Sequence, residues 1–263
     1  MTDVVPRFKL LDLFSGIGGF SLGLQRSGGF QTVAFCEIEP FPRRVLANHW
    51  PEVPCYDDIR TLTAARLASD GIAVDAICGG FPCQDISNAG LRAGIGGERS
   101  GLWSEYARLI GEIRPRYVFV ENVAALLGRG MGRVLGDLSA LGYDAEWYCI
   151  PASALGAPHR RNRIWIIAYS AQRVRSGVPL FREIDGQNYQ ARYKRIWSVI
   201  CARRNRNEPP SDFVRLRAND GLSGRLCELE AYGNAVVPQI PEMLGRAVMD
   251  YERATMAMEG FGG

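Results

Sequence analysis

Phe8-Lys9-Leu10-Leu11-Asp12-Leu13-Phe14-Ser15-Gly16-Ile17-Gly18-Gly19-Phe20 is the stretch on which the architecture of this chain turns. Its first half, Phe8 to Phe14, is short and apolar and reads as a buried strand. Its second half is a glycine turn that leads into Phe20 to Arg26, which reads as a helix. Glycines let the backbone turn tightly and approach a ligand at the carboxyl edge of a sheet. The spacing is not the dinucleotide GxGxxG, because Ser21 stands where the third glycine belongs. A pyrophosphate cradle is therefore disfavoured.

The strand-then-helix alternation continues outward from this unit. Gln31 to Cys36 reads as a second strand. Phe41 to Trp50 reads as a helix with Pro42 in its first turn, where a missing N–H costs nothing. The apolar run Ile72 to Cys78 carries a third strand at Val74 to Cys78. Trp103 to Ile113 has helical periodicity, with Leu102, Tyr106, Leu109, Ile110 and Ile113 on one face. Tyr117 to Val120 is a β-branched and aromatic strand, and Met131 to Leu141 a helix that stops at Gly142. Tyr143 to Ile150 and Ile164 to Ala168 are further strands. The expectation is an α/β fold with a mostly parallel, doubly wound sheet. The pattern stops after Tyr169 and helical character returns from Pro238 to Arg253. We therefore expect a catalytic body over 1–169, a small insert over 170–223 and a C-terminal segment over 224–263 that returns to the body.

Composition bounds the rest. The chain has 263 residues and is 47% hydrophobic, enough for one sizeable α/β core. No apolar stretch reaches the ~18 residues of a membrane helix, and Met1 to Pro6 lacks the features of a secretory signal. A cytoplasmic protein without a membrane partner is expected. Seven cysteines, an odd number with no CxxC spacing, and only two histidines, His49 and His159, argue against a disulfide framework and against a metal site. Net charge is +3, yet Ser170 to Ser223 holds 11 Lys/Arg against 5 Asp/Glu, which leaves −3 for the remainder. A basic insert on a mildly acidic body suggests contact with a polyanion at one place, or simply a solvated basic surface.

Candidate chemistry gathers where the strands end. Gly79-Gly80-Phe81-Pro82-Cys83-Gln84-Asp85-Ile86-Ser87 places a cysteine directly after a proline at the end of an apolar strand. That is how a nucleophile is presented at the mouth of an α/β sheet. A buried structural cysteine in a turn is the plainer alternative. Glu37 ends the second strand, where a carboxylate can accept both hydroxyls of a ribose. Glu121-Asn122-Val123 follows the Tyr117–Val120 strand, so its carboxylate belongs on the same edge as Cys83. It is a candidate general acid or a capping or ion-paired glutamate. Arg161 and Arg163, two apart at the start of a strand, point to one side and can hold a planar oxygen-bearing group or lower a thiol pKa.

These pieces, in this order, resemble the DNA (cytosine-5)-methyltransferase family. Asp12–Phe20 is similar to its first S-adenosylmethionine motif, Gly79–Ser87 to its catalytic loop, Glu121–Val123 to its proton-donor motif and Arg161–Arg163 to its arginine motif. Gly233-Asn234-Ala235-Val236-Val237-Pro238 resembles the C-terminal motif that completes the cofactor pocket. The resemblance implies the S-adenosylmethionine-dependent methyltransferase fold with a small target-recognition insert, and S-adenosylmethionine as cofactor. Phe14, Gly16 and Gly18 would line the pocket. Glu37 would hold the ribose, Asp58 and Ile59 the adenine, and Asn234 and Val236 the methionine side. Cys83 would add to cytosine C6, Glu121 would engage N3, and the Phe81 carbonyl beside Pro82 would read the exocyclic amine. Arg163 would hold O2, with Arg161 near the thiol.

By the same resemblance the partner is duplex DNA with its target base flipped out. Gln84 to Gly101 is expected to act as a lid, with Arg92 and Arg99 on phosphates. Arg192, Lys194, Arg195, Arg203, Arg204 and Arg206 of the insert are expected to make further phosphate contacts. Two features depart from the family pattern. His159 stands where glutamine is usual, and the insert is short, which predicts a short or relaxed target. We expect a monomer, and a compact form of this kind suits a bacterial or phage source. A paired restriction endonuclease stays open, as do two alternatives: an RNA (tRNA) cytosine-5 methyltransferase, and a non-catalytic DNA-binding regulator of the same fold.

Overall fold

A computed structural model describes residues 7–82, 101–152, 162–170 and 235–259. Among these residues seven strands form one sheet in the order β3-β2-β1-β4-β5-β7-β6. The strands are β1 (Phe8–Leu13), β2 (Phe30–Cys36), β3 (Cys55–Tyr56), β4 (Ala76–Gly79), β5 (Tyr117–Val123), β6 (Tyr143–Pro151) and β7 (Asn162–Ser170). The helices are α1 (Gly19–Arg26), α2 (Pro40–His49), α3 (Ala64–Ser69), α4 (Leu102–Ile113), α5 (Leu126–Arg129), α6 (Met131–Ala140) and, for the last, α7 (Gln239–Glu259). Pairings from β3 across to β5 are parallel, whereas β7 runs antiparallel to both β5 and β6. The expected mostly parallel α/β sheet is therefore present. No helix among the described residues is long and apolar enough to cross a membrane.

The apolar runs of the sequence are explained by burial on two faces. Side chains alternate along a strand, and each face of this sheet is covered. Leu11 and Leu13 of β1, Val118 and Val120 of β5, and Ile164 and Ile166 of β7 pack with α4, α5 and α6. Phe8 and Leu10, Tyr117 and Phe119, and Trp165 and Ile167 pack with α1 and α7. Leu10, Leu11 and Leu13 are fully buried, and each such side chain stabilises the fold by roughly 1.5–3 kcal/mol relative to exposure. Strands covered on both sides lose the polar–apolar alternation of a half-exposed sheet.

Several elements differ from the sequence expectation. The first strand stops at Leu13, because Phe14 takes a left-handed φ of 52°. The third starts at Ala76 rather than Val74. The Tyr117 strand continues through Val123, so Glu121 and Asn122 lie within it, cross-paired with Trp165 and Ile164. The two-residue β3 and the six-residue α3 carry too little periodicity to be read from the sequence. As expected, α6 stops at Gly142, whose φ of 81° suits a residue without Cβ.

The C-terminal helix reaches the body through glycines. A Cβ on Gly19 would lie 2.4 Å from the Val236 carbonyl, and one on Gly23 would lie 2.2 Å from that of Pro238. Both positions on α1 thus need glycine so that the chain before and at the start of α7 can pack backbone to backbone. At the far end of the sheet, Glu252 of α7 is buried and accepts from the Tyr117 hydroxyl and from Arg116.

Candidate active site

The chain turns away from β1 in two directions: outward to β2 and β3, then back to β4 and β5 on the other side. In open α/β sheets ligands bind at the carboxyl ends of strands where this reversal occurs. Register puts the strand ends in one row. Leu13 is level with both Cys36 and Gly79, and Gly79 with Val120. The next residues, Phe14, Glu37, Gly80 and Glu121, therefore emerge side by side.

The turn after β1 is shaped by its hydrogen bonds. The Ser15 hydroxyl donates to Asp12 O at 2.6 Å and accepts from Cys36 N at 3.3 Å, tying the end of β1 to that of β2. Phe14 occupies the left-handed region without being glycine, a conformation that costs about 1–3 kcal/mol and persists only when its surroundings enforce it. Its ring lies edge-on to Tyr106 at 6.4 Å. Gly16 has φ 52°, and the place where its Cβ would stand is open space. Gly18 has φ 83°, and a Cβ there would lie 2.6 Å from the Trp50 ring.

Glu37 is buried and held in place by backbone. One carboxylate oxygen accepts from Gly16 N at 2.7 Å and the other from Glu39 N at 2.8 Å. Burial pushes its pKa up, and those two N–H groups oppose the shift. Each oxygen keeps lone pairs for two hydroxyls beside an open glycine. Asp58 and Ile59 follow β3. The Asp58 carboxylate is gripped by the Arg60 guanidinium, which holds its pKa below the usual range. Ile59 is buried. Val236 borders the same turn through its carbonyl at Gly19.

Residues of β5 and β7 and of the turn after β4 make the second half of the site. Arg163 Nε donates to Glu121 Oε1 at 3.0 Å, and both side chains are largely covered. The other oxygen of Glu121 lies over Gly80, where a Cβ would come within 2.8 Å of it. The glutamate is thus ion-paired and seated directly above the turn that leads to Pro82. Asn122 is buried and donates from Nδ2 to Phe81 O at 3.1 Å, while its Oδ1 accepts from Val123 N. The Phe81 carbonyl therefore already carries one hydrogen bond, with a lone pair to spare. The Phe81 ring is core, 5.4 Å from Trp103, so only its backbone is presented to a ligand. Pro82 is half-buried at the end of this turn.

Of the residues singled out from sequence, Phe14, Gly16, Gly18, Glu37, Asp58, Ile59, Phe81, Pro82, Glu121, Arg163 and Val236 are described. Cys83, Arg92, Arg99, Arg161, Arg192, Lys194, Arg195, Arg203, Arg204, Arg206 and Asn234 lie outside the described residues, as does His159. The sequence reading gave no role to Asn122, to Gly80 as a seat, or to the Gly19 and Gly23 contacts. The spacing of those two glycines, four apart on one helix, is the signal that marks a close backbone approach. Asn122 had no such signal, because its partner is a carbonyl 41 residues away.

The C-5 cytosine-specific DNA methylase family model matches residues 8–214. Among curated proteins, the chain is 39% identical over 168 residues to a Type II methyltransferase, M2.BsuMI, of Bacillus subtilis (strain 168), covering 61% of this chain and 41% of that protein. It is 32% identical over 174 residues to the Type II methyltransferase M.SsoII of Shigella sonnei, covering 65% and 45%. The matched stretches thus span less than half the length of these relatives. Among solved structures, a putative DNA modification methyltransferase encoded within a prophage of E. coli superposes with a TM-score of 0.54 at 27% identity, over 63% of this chain and 47% of that one.

Proposed function

Because this chain belongs to the C-5 cytosine-specific DNA methylase family, we propose that it transfers a methyl group from S-adenosylmethionine to C5 of cytosine in duplex DNA. The observation that carries the proposal is the Glu121–Arg163 pair seated over Gly80, in the turn that runs straight into Pro82 and Cys83. That juxtaposes a fixed acid, a fixed cation and the approach to a thiol.

The cofactor fits the first half of the site. Glu37, held by Gly16 N and Glu39 N, offers acceptors to a ribose. The open place at Gly16 leaves room beside it, and Phe14, Gly18, Asp58, Ile59, Val236 and Asn234 complete the reading. When bound, this group supplies an electrophilic methyl on a sulfonium.

The remaining residues act on cytosine, whose C5 is too poor a nucleophile while the ring is aromatic. The Cys83 thiolate adds to C6, and the electron pair displaced from the C5–C6 bond makes the ring enamine-like. Glu121 protonates or hydrogen-bonds N3 and so stabilises the adduct, and it reads the exocyclic amine together with the Phe81 carbonyl. Arg163, which pairs with Glu121, donates to O2 in this reading, and Arg161 acts on the thiol. C5, made nucleophilic by the adduct, would then take the methyl group that the cofactor held beside Glu37 would supply. Loss of the C5 proton to a base expels the Cys83 thiolate and restores the ring. The target must be flipped from the duplex, at about a few kcal/mol of unstacking, offset by contacts from Arg92, Arg99 and the basic insert.

Two assays test this reading. Bisulfite sequencing of DNA from cells expressing the wild type and Cys83→Ser is expected to reveal 5-methylcytosine in the first only. Oligonucleotides containing 5-fluorocytosine, in diverse sequence contexts and with methyl donor present, are expected to trap a covalent complex. The absence of both products on duplex DNA overturns the reading, and methylation of tRNA alone would move the substrate to RNA.

A further inference from the structure

Residues 57–63 join the two-residue β3 to the six-residue α3 and contain neither glycine nor proline. Thr61 N and Leu62 N both bond back to Asp58 O, which winds the segment into one turn. Two carbonyls of that turn, Ile59 O and Leu62 O, converge on a single nitrogen of Arg108, at 2.9 Å each.

Arg108 stands in the middle of α4 and is aimed by its own helix. Its Nε donates to Glu105 Oε2 at 2.7 Å, and its other terminal nitrogen donates to Glu112 Oε1 at 2.5 Å. Carboxylates one turn before and one turn after thus hold the planar fork, leaving one terminal nitrogen for the turn. The second oxygen of Glu112 accepts from Ala64 N at 2.9 Å, at the start of α3. The helix α4 therefore grips a carbonyl end with a cation and an amide end with an anion. A lysine has no fork to reproduce this geometry.

This arrangement bears on the pocket because Asp58 and Ile59 lie in the clasped turn. We propose that Arg108 is a positioning residue for the cofactor: it holds the Asp58–Leu62 turn at the adenine side of the pocket. The proposal rests on the reading of this pocket as an S-adenosylmethionine site. With the clasp gone, Ile59 and Leu62 still anchor the turn through their buried side chains, but its carbonyls lose their partner, and cofactor binding has to order the backbone around Asp58.

The test compares wild type, Arg108→Met and Arg108→Lys, with Arg66→Met as a control that removes an exposed pair with Asp70 on α3. Calorimetric titration with S-adenosylhomocysteine is expected to give roughly tenfold weaker binding for Arg108→Met, a smaller loss for Arg108→Lys, and none for Arg66→Met. In steady-state methylation, KM for the methyl donor rises by the same factor, while kcat at saturating donor and KM for DNA stay within about twofold. A variant that melts earlier yet binds S-adenosylhomocysteine like wild type overturns the proposal. If Arg108→Met has no melting transition, Arg108→Lys and hydrogen exchange on the wild type decide. S-adenosylhomocysteine must then slow exchange across 58–64, and slowing confined to the 14–20 turn overturns the clasp. Wild type that fails to bind S-adenosylhomocysteine sinks the functional reading and this inference together. Wild type that binds, with an unchanged Arg108→Met, sinks this one alone.

Discussion

Replacing Gly80 with alanine perturbs the seat of Glu121 without deleting any catalytic group. The new Cβ would lie 2.8 Å from Glu121 Oε2, where ordinary contact begins at 3.4 Å, so the carboxylate must withdraw by about 0.6 Å. That atom is the far end of a side chain, and the fold absorbs the shift. Overpacking of this kind costs about 1–3 kcal/mol. The partner cannot follow freely, because Arg163 holds the other oxygen at 3.0 Å. A misplacement of about 1 Å in a reacting group costs roughly 100-fold in rate, so the smaller shift predicts a loss of about 10- to 100-fold in single-turnover methylation. Affinity for S-adenosylhomocysteine stays at the wild-type value, since the glycine turn after β1 is untouched. Trapping on 5-fluorocytosine DNA slows in parallel. Adding Glu121→Gln to Gly80→Ala should cost no more than Glu121→Gln alone, because both act through one carboxylate. A folded Gly80→Ala protein that methylates at the wild-type rate refutes the argument that the seat above Gly80 sets the position of the acid.

Three further outcomes follow from other contacts. Gly23→Ala drives a methyl to 2.2 Å from Pro238 O and 2.9 Å from Pro241, so the chain entering α7 must lift. Thermal melting should register about 1–3 kcal/mol of destabilisation, and S-adenosylhomocysteine binding should weaken because Val236 moves with that segment. Tyr117→Phe leaves an oxygen of buried Glu252 without its hydroxyl donor. Urea unfolding should show a loss of about 1–3 kcal/mol with unchanged cofactor affinity, since this contact lies at the opposite end of the sheet. Burial raises Asp12 to about 7, against lowering hydrogen bonds from Ser21 and Cys78. The folded state then holds a proton that the unfolded state has already released. The resulting stabilisation is full below about pH 4 and is lost as pH rises through about 7. Asp12→Asn should flatten stability across that window in urea titrations, and an unchanged slope counts against the shift.

Much of the architecture could be read from local pattern. Glycines before α1, β-branched runs and helical periodicity mark the strands and helices that carry the site. The ends of those strands located Phe14, Glu37, Phe81 and Glu121 within a residue or two. The boundaries were less legible. The left-handed Phe14 ends β1 because its surroundings enforce that φ, and β5 runs on through Glu121 because β7 pairs alongside it.

What the sequence by itself determined is the order of elements and the chemistry gathered at their ends, because turn geometry and burial period act over a few neighbouring residues. Only the tertiary structure decided which side chains meet. An apolar strand looks alike in either direction, so the antiparallel β7 was invisible until its hydrogen bonds were in place. The bonds from Arg163 to Glu121, from Asn122 to Phe81, from Arg108 to Ile59 and from Tyr117 to Glu252 link residues 41 to 135 positions apart. Such partners are chosen by sheet register and helix packing, and no local run of residues records them.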